Sequence, residues 1–182
     1  MAMIKGLALI GAVKALRSSP GASREALKPE LHHYLEEKIF PSRWYPESDA
    51  VELFEALVEV MPQRESPWRW IGMEGARHDF RGTYSAFVQR RQPAQVFRTV
   101  PKIWRLYHDT GSVRTEQVDD KTVTIEIQSS LMRHEGFVEL QTAHLEALAE
   151  LAGASGASCQ IRRRRLDPPT ATWRLSWRAL AS

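Results

Sequence analysis

Histidine side chains offer the widest range of chemistry in this sequence, because imidazole binds metals, transfers protons and changes charge near neutral pH. The sequence contains six of them: His32, His33, His78, His108, His134 and His144. No HxxxH or HExxH pair occurs, and His134 and His144 lie almost three turns apart along a predicted helix. The spacing therefore predicts no metal site.

A nucleophilic site would require Cys159 or a serine next to a base. Cys159 begins a predicted strand beside arginines, which would lower the pKa of its thiol, yet the sequence places no histidine next to it. A small buried strand residue is the simpler interpretation. Because the sequence also lacks the GxSxG, GxxxxGK(S/T) and GxGxxG motifs, we expect a protein that is not an enzyme and has no catalytic residue.

Basic residues are concentrated near the C-terminus, where Arg162 to Arg165 run consecutively through a predicted strand. Regular alternation would place Arg163 and Arg165 on the face of Ile161 and the other two arginines on the opposite face. Edge charge that prevents unwanted strand pairing explains this run. Nucleic-acid binding through these strands is a third functional hypothesis, after the two given below.

The composition is that of a soluble, folded chain in a reducing compartment. The 182 residues are 43% hydrophobic and 26% charged, with a formal net charge of +3, which does not demand a polyanionic partner. The single cysteine excludes an internal disulfide, and Lys14 interrupts the N-terminal apolar run far short of a membrane span. We therefore expect one cytoplasmic domain over residues 1–182, without a membrane span.

The hydrophobic period divides this domain into two parts. Residues 1–111 have helical spacing, with helices predicted after Asp49, from Pro67 to about Gln89, and from Pro93 to Gly111. In residues 112–182, strands are predicted near 113–118, 123–127, 159–166 and 172–178, with one helix at about 135–152. The predicted fold class is α+β, with an N-terminal helical bundle followed by a β-β-α-β-β unit that forms an antiparallel sheet.

Two functions are compatible with this architecture. The first is a signalling or assembly module that binds a small apolar ligand between the glycine-rich helix and the sheet. Its pocket would be lined by Asp79, Tyr84, Trp104, His108 and His144. The alternative is a protein-interaction subunit, as a homodimer or a scaffold, that binds its partner through exposed aromatic residues. Those candidates are Trp44, Tyr45 and Trp68.

Three segments of the sequence resemble a paralogous family of myxobacterial proteins: IFPSRWYPE (39–47), GARHDFRGTYSAFV (75–88) and PAQVFRTVPKIWRLYHDTG (93–111). In architecture this family is similar to heme nitric-oxide/oxygen-binding domains, 4-vinyl-reductase sensor domains and transport-protein-particle (TRAPP) subunits. The resemblance implies a helical bundle with a β-β-α-β-β end. It implies a function only by analogy of fold.

The resemblance also suggests which cofactors to consider. Heme-binding members of the wider group use a proximal histidine before the first strand, a position near which His108 lies, and a Tyr-x-Ser-x-Arg motif for the propionates. No such motif occurs in this sequence, and one cysteine is too few for the zinc cluster of the sensor domains. We therefore expect no cofactor.

Overall fold

The computed structural model describes residues 1–61, 65–88 and 92–179. The chain divides into two compact units. Unit 1 comprises Met1–Pro67 and Leu106–Thr110, and unit 2 comprises Trp68–Arg105 and Gly111–Ser182. The expected single domain over residues 1–182 stays a prediction.

Unit 1 is mainly helical. Its elements are β1 (Met3–Lys5), α1 (Gly6–Arg17), α2 (Pro20–Ala26), α3 (His33–Glu36), β2 (Trp44–Pro46) and α4 (Glu47–Glu59), with a 3₁₀ turn at Pro29–Leu31. Its core contains four leucines that are almost completely buried: Leu9, Leu16, Leu53 and Leu57. They belong to α1 and α4, whose apolar faces therefore supply much of the core of this unit.

A short strand pair stands at the start of unit 1. β1 pairs antiparallel with β2, with Ile4 opposite Tyr45, and an isolated bridge joins Ile4 to His108. The first residue of α1, Gly6, has to be a glycine because a Cβ at this position would overlap the carbonyl oxygen of Phe40. The sequence did not reveal β1 and β2, because three residues are too few to establish a period of two.

Unit 2 contains most of two helices, the whole of a third helix and a four-stranded sheet. The elements are α5 (Pro67–Arg81), α6 (Pro93–Tyr107), β3 (Ser112–Asp119), β4 (Thr122–Gln128), α7 (Glu135–Leu151), β5 (Ala154–Leu166) and β6 (Pro169–Ala179). Two 3₁₀ turns lie at Ser85–Phe87 and Ser130–Arg133. The four strands form an antiparallel sheet in the order β3-β4-β6-β5. The predicted α+β class and β-β-α-β-β order are confirmed.

β6 provides the centre of the unit 2 core. Trp173 and Leu175 are fully buried and Trp177 is nearly so, whereas the residues between them point to the opposite face. The indole Nε1 of Trp173 donates a 2.8 Å hydrogen bond to Oγ1 of Thr142 on α7. The sheet therefore has one face covered by α7 and one polar face.

Element boundaries differ from the predictions where glycine is involved. α5 ends at Arg81, followed by a turn at Gly82, and the predicted end at Gln89 lies outside the described residues. β5 begins at Ala154 rather than near Cys159, because Gly156, at a φ of 56°, lies within an irregularity between Ser155 and Ser158 that keeps the strand paired. Glycines that suggested a loop therefore belong to a bulged strand.

The predicted alternation of the arginine run is wrong. A bulge between Ile161 and Arg163 shifts the register, so that Arg164 is opposite Ala171, on the core side, and Arg163 is opposite Thr172, on the polar side. One extra residue in a strand exchanges the faces of all the residues that follow it.

None of the helices within the described residues is long and apolar enough to cross a membrane.

Two glycines of α5 make a matched test of packing in unit 2. A Cβ on Gly72 would overlap the carbonyl of Leu140 on α7, whereas a Cβ on Gly75 would meet nothing within 4 Å. We expect Gly72→Ala to lower the free energy of unfolding by about 1–3 kcal/mol through overpacking. Gly75→Ala should raise it by about 0.5–1 kcal/mol, because alanine favours the helix. Urea unfolding of both variants measures this, and equal effects of the two would contradict the close approach at Gly72.

Candidate functional site: a buried glutamate–histidine pair

A carboxylate and an imidazole meet inside unit 1. Oε1 of Glu47 lies 2.8 Å from Nδ1 of His108, and their side chains are only 4% and 10% exposed. Glu47 is the first residue of α4, and its backbone N–H donates a 2.9 Å hydrogen bond to the carbonyl of Ala2. The carboxylate thus also lies at the positive end of a helix dipole, which favours its negative charge.

Backbone contacts with β1 fix the position of His108. Its neighbour Asp109 accepts a 2.7 Å hydrogen bond at Oδ1 from the N–H of Met3 and donates its own N–H to the carbonyl of Met3 at 3.1 Å. The bridge to Ile4 holds His108 itself. β1 therefore holds the backbone at residues 108 and 109, and Glu47 holds the imidazole ring itself.

This arrangement resembles the environment of a histidine that binds a metal. Such histidines commonly engage a carboxylate or carbonyl through one ring nitrogen, which sets the tautomer and orients the other nitrogen as the donor. Here Glu47 engages Nδ1, so Nε2 is the donor atom that the geometry selects. In the described ranges no three His, Cys, Asp or Glu side chains group together as metal ligands. The described residues therefore place one imidazole here that a carboxylate orients, without a set of protein ligands around it.

A second cluster lies in unit 2 and contains three of the predicted lining residues. The Phe80 ring lies 5.9 Å from the ring of His144 and 6.1 Å from that of Tyr84. Asp79 is 6% exposed, and burial together with this nearby carboxyl raises the pKa of the Tyr84 hydroxyl. Burial lowers the pKa of His144 to about 4, although a hydrogen bond to the backbone of Gly72 opposes the shift. His144 is therefore neutral at neutral pH.

The five predicted ligand-lining residues do not all belong to one unit. His108 belongs to unit 1, whereas Asp79, Tyr84, Trp104 and His144 belong to unit 2. Trp104 is 7% exposed, and a Cβ added to Gly111 would lie 3.3 Å from its indole nitrogen. Sequence reasoning named His108 but missed Glu47, because nothing in the local pattern distinguishes a helix-starting glutamate that binds a distant histidine from one that faces solvent.

The aromatic residues considered for protein binding differ in their surroundings. Trp44 is 36% exposed, with the ammonium of Lys5 at 3.9 Å from its ring centroid. The hydroxyl of Tyr45 accepts a 3.1 Å hydrogen bond from the N–H of Phe40. Trp68 covers Gly136, where a Cβ would overlap its indole. Trp44 is thus the most accessible of the three candidates.

Cys159 is a buried structural residue. Its backbone N–H donates a 2.9 Å hydrogen bond to Glu146, which also forms a salt bridge with Arg69. Burial and the Glu146 carboxylate raise the pKa of the thiol. The expectation that neighbouring arginines lower this pKa is wrong, because burial of the thiol has the largest effect on its pKa and raises it.

Comparison with known proteins identifies the fold. No protein-family model and no curated protein matches the chain. An H-NOX structure used to probe heme distortion has 14% identity and a TM-score of 0.72, over 98% of this chain and 97% of that one. A Cs H-NOX mutant containing 4-cyano-L-phenylalanine has 13% identity and a TM-score of 0.74, over 98% and 99%. An oxygen-binding H-NOX domain related to soluble guanylate cyclases has 13% and 0.67, over 96% of each chain. The chain therefore has the H-NOX fold.

The expectation that the chain has no cofactor is wrong, because it conflicts with the structures that share this fold. It depended on the absence of a Tyr-x-Ser-x-Arg sequence, which concerns only the way in which propionates are held. The matching structures compared above are H-NOX domains, and two matching structures are described by heme distortion and by heme redox potential. A missing motif excludes one way of holding the group and leaves others open.

Removal of the Glu47 carboxylate tests the buried pair. Glu47→Ala leaves the His108 ring nitrogen without this partner, so we expect the free energy of unfolding to fall by about 2–4 kcal/mol. Glu47→Gln keeps a hydrogen-bonding group and should cost less. Glu55→Ala, at an exposed position of the same helix, is the control. Urea unfolding measures all three, and an equal loss in the Glu47→Ala and Glu55→Ala variants would contradict a stabilising pair.

The neutral state of His144 predicts a pH dependence of stability. Because the folded pKa is about 4 and the ordinary value is 6.5, the unfolded chain binds more protons between these values. Stability is therefore fully present above about pH 6.5 and is lost as the pH falls toward 4, by roughly 3 kcal/mol. His144→Gln should abolish this part of the slope, whereas His78→Gln, at an exposed position, should retain it. Denaturant unfolding from pH 7.5 to 4 measures the pH dependence of the free energy of unfolding for both variants. If His144 is solvated, the two variants should show the same pH dependence.

Proposed function

We propose that this chain is a sensor module that binds heme and that Nε2 of His108 would hold the heme iron. The observation that carries the proposal is the buried contact between Glu47 and His108 Nδ1, which gives the imidazole the orientation of a metal ligand. The likeness of the fold to H-NOX domains supports the choice of heme over other metal cofactors.

The roles of the residues follow from their positions. His108 would hold the iron, and Glu47 would fix the tautomer and the orientation of the ring. β1 would keep the imidazole in place through the backbone contacts of Ile4 and Met3 with residues 108 and 109. Bound heme would supply an iron that binds a diatomic gas. In this proposal the chain catalyses no reaction, and a change at His108 is passed to β1 and α4 through the same contacts.

Reconstitution with hemin provides the test. The purified chain should bind one equivalent of hemin and develop a Soret band, with a ferrous spectrum that changes on addition of carbon monoxide or nitric oxide. His108→Gly should lose most of the binding, and added imidazole should restore the band because it occupies the position of the missing ring. His78→Ala removes an exposed histidine and serves as the matched control.

Two outcomes would overturn the proposal. One is that the chain folds but the amount of bound hemin does not increase with the protein concentration. The other is a Soret band that is unchanged in the His108→Gly variant, which would assign the iron to another residue. Circular dichroism of each variant establishes that the fold is kept.

A further inference from the structure

β5 forms an edge of the unit 2 sheet. In the order β3-β4-β6-β5, this 13-residue strand pairs with β6 on one side and has no other strand partner among the described residues. An edge strand presents backbone N–H and C=O groups that can pair with another chain. The sequence alone could not establish that this arginine-rich strand is an edge.

Arginine side chains line the polar face of the sheet at this edge. Arg163 is opposite Thr172 and Arg165 is opposite Thr170, and both therefore lie on the face opposite Trp173, as does Arg174 of β6. None of these three arginines forms a salt bridge with another described residue. β5 and β6 contain no carboxylate. The positive charge is therefore not neutralised within these two strands, and Asp167, in the turn that joins them, is the one carboxylate of the hairpin.

Apolar side chains are uncovered at the same edge. Ile161 is 47% exposed and Leu166 is 57% exposed, and both are large hydrophobic residues of an outer strand. Arg164, in contrast, points to the core side, where its guanidinium donates hydrogen bonds of 3.1 and 2.6 Å to the carbonyls of Met132 and Arg133. Arg164 thus anchors the strand, while its neighbours remain available to a partner.

We propose that the β5 edge binds an extended segment of a partner protein, added as a further strand, with acidic side chains at alternate positions. Backbone pairing with β5 would supply affinity, and alternate side chains would supply specificity. Arg163 and Arg165 are two residues apart, which is the period with which side chains of an added strand return to the same face. Acidic residues of the segment would lie beside these arginines, and apolar residues between them would lie beside Ile161. This inference does not depend on heme binding.

Charge excludes a second copy of the chain as the occupant. β5 against β5 would place arginines beside arginines. The other sheet edge, β3, has Arg114, Glu116 and Asp119 on its polar face, where the two carboxylates are three residues apart instead of two and follow an arginine. Neither edge provides the acidic strand that the arginines require, so the segment must come from another protein.

The geometry is also unfavourable for nucleic acid. β6 remains paired with β4 as far as Thr170, so the β5–β6 hairpin does not stand clear of the sheet as a two-stranded ribbon would. Four strands spaced at about 4.8 Å span about 14 Å before side chains are added, which exceeds the major groove width of about 12 Å. The polar face of β5 and β6 has no aromatic side chain on which bases could stack.

The test uses three fluorescent nine-residue peptides and the full chain. The first probe is Gly-Glu-Val-Glu-Val-Glu-Val-Glu-Gly, the second has the same composition with the glutamates in one block, and the third has lysine in place of glutamate. We expect the alternating acidic peptide to bind at least tenfold more tightly than the other two. In the double variant Arg163→Glu/Arg165→Glu its Kd should rise at least tenfold, whereas Arg98→Glu/Arg105→Glu on α6 is the charge-matched control and should change it by less than threefold.

Hydrogen exchange distinguishes strand addition from general attraction of acids. Binding of the alternating peptide to the unmodified chain should slow exchange of the β5 amides that do not bond β6. Equal binding of the alternating and blocked peptides, or binding without protection of β5, would overturn the proposal. Binding of a duplex DNA that depends on Arg163 and Arg165, together with no peptide binding, would also overturn it and would assign these residues to nucleic acid. The exchange measurement needs no variant, so it remains decisive if the double variant does not fold.

Discussion

The pairing of β6 on both sides is the constraint on which the rest of unit 2 depends. β4 and β5 fix its register, and strict alternation then sends Trp173, Leu175 and Trp177 to the face that α7 covers. The polar atom of the buried indole must find a partner there, and Thr142 provides it. The same alternation sends Arg174 to the other face, so the core and the basic surface are two consequences of one register.

Unit 1 depends on a different constraint, which is the cost of burying charge. A carboxylate that is 4% exposed needs a partner, and His108 provides it only because β1 holds residues 108 and 109 beside the start of α4. The pair therefore links strand, helix and the segment 106–110. In the proposed function, a ligand that draws on the imidazole would act on all three.

The helices and strands could be predicted from the sequence more completely than the candidate site could. Long periodic segments such as α4, α7 and β4 identified the α+β class because their apolar residues repeat at one period. The bulge after Ile161 could not be predicted, since it depends on pairing with β6, and it reversed the faces of Arg163 and Arg165. His108 could be named from its type, but Glu47 is 61 residues away, and only the folded chain joins them.

An identity of 13–14% with H-NOX domains over nearly the whole chain means that helices and strands are retained while most side chains are not. A ligand site can therefore be carried over only where the side chains support it. The absent Tyr-x-Ser-x-Arg motif concerns groups at the margin of a heme, whereas an imidazole such as that of His108 would supply the protein's own bond to the iron. The proposed function therefore depends on the imidazole of His108, which Glu47 contacts at Nδ1. Removal of this ring would distinguish a heme sensor from a heme-free protein with the same fold.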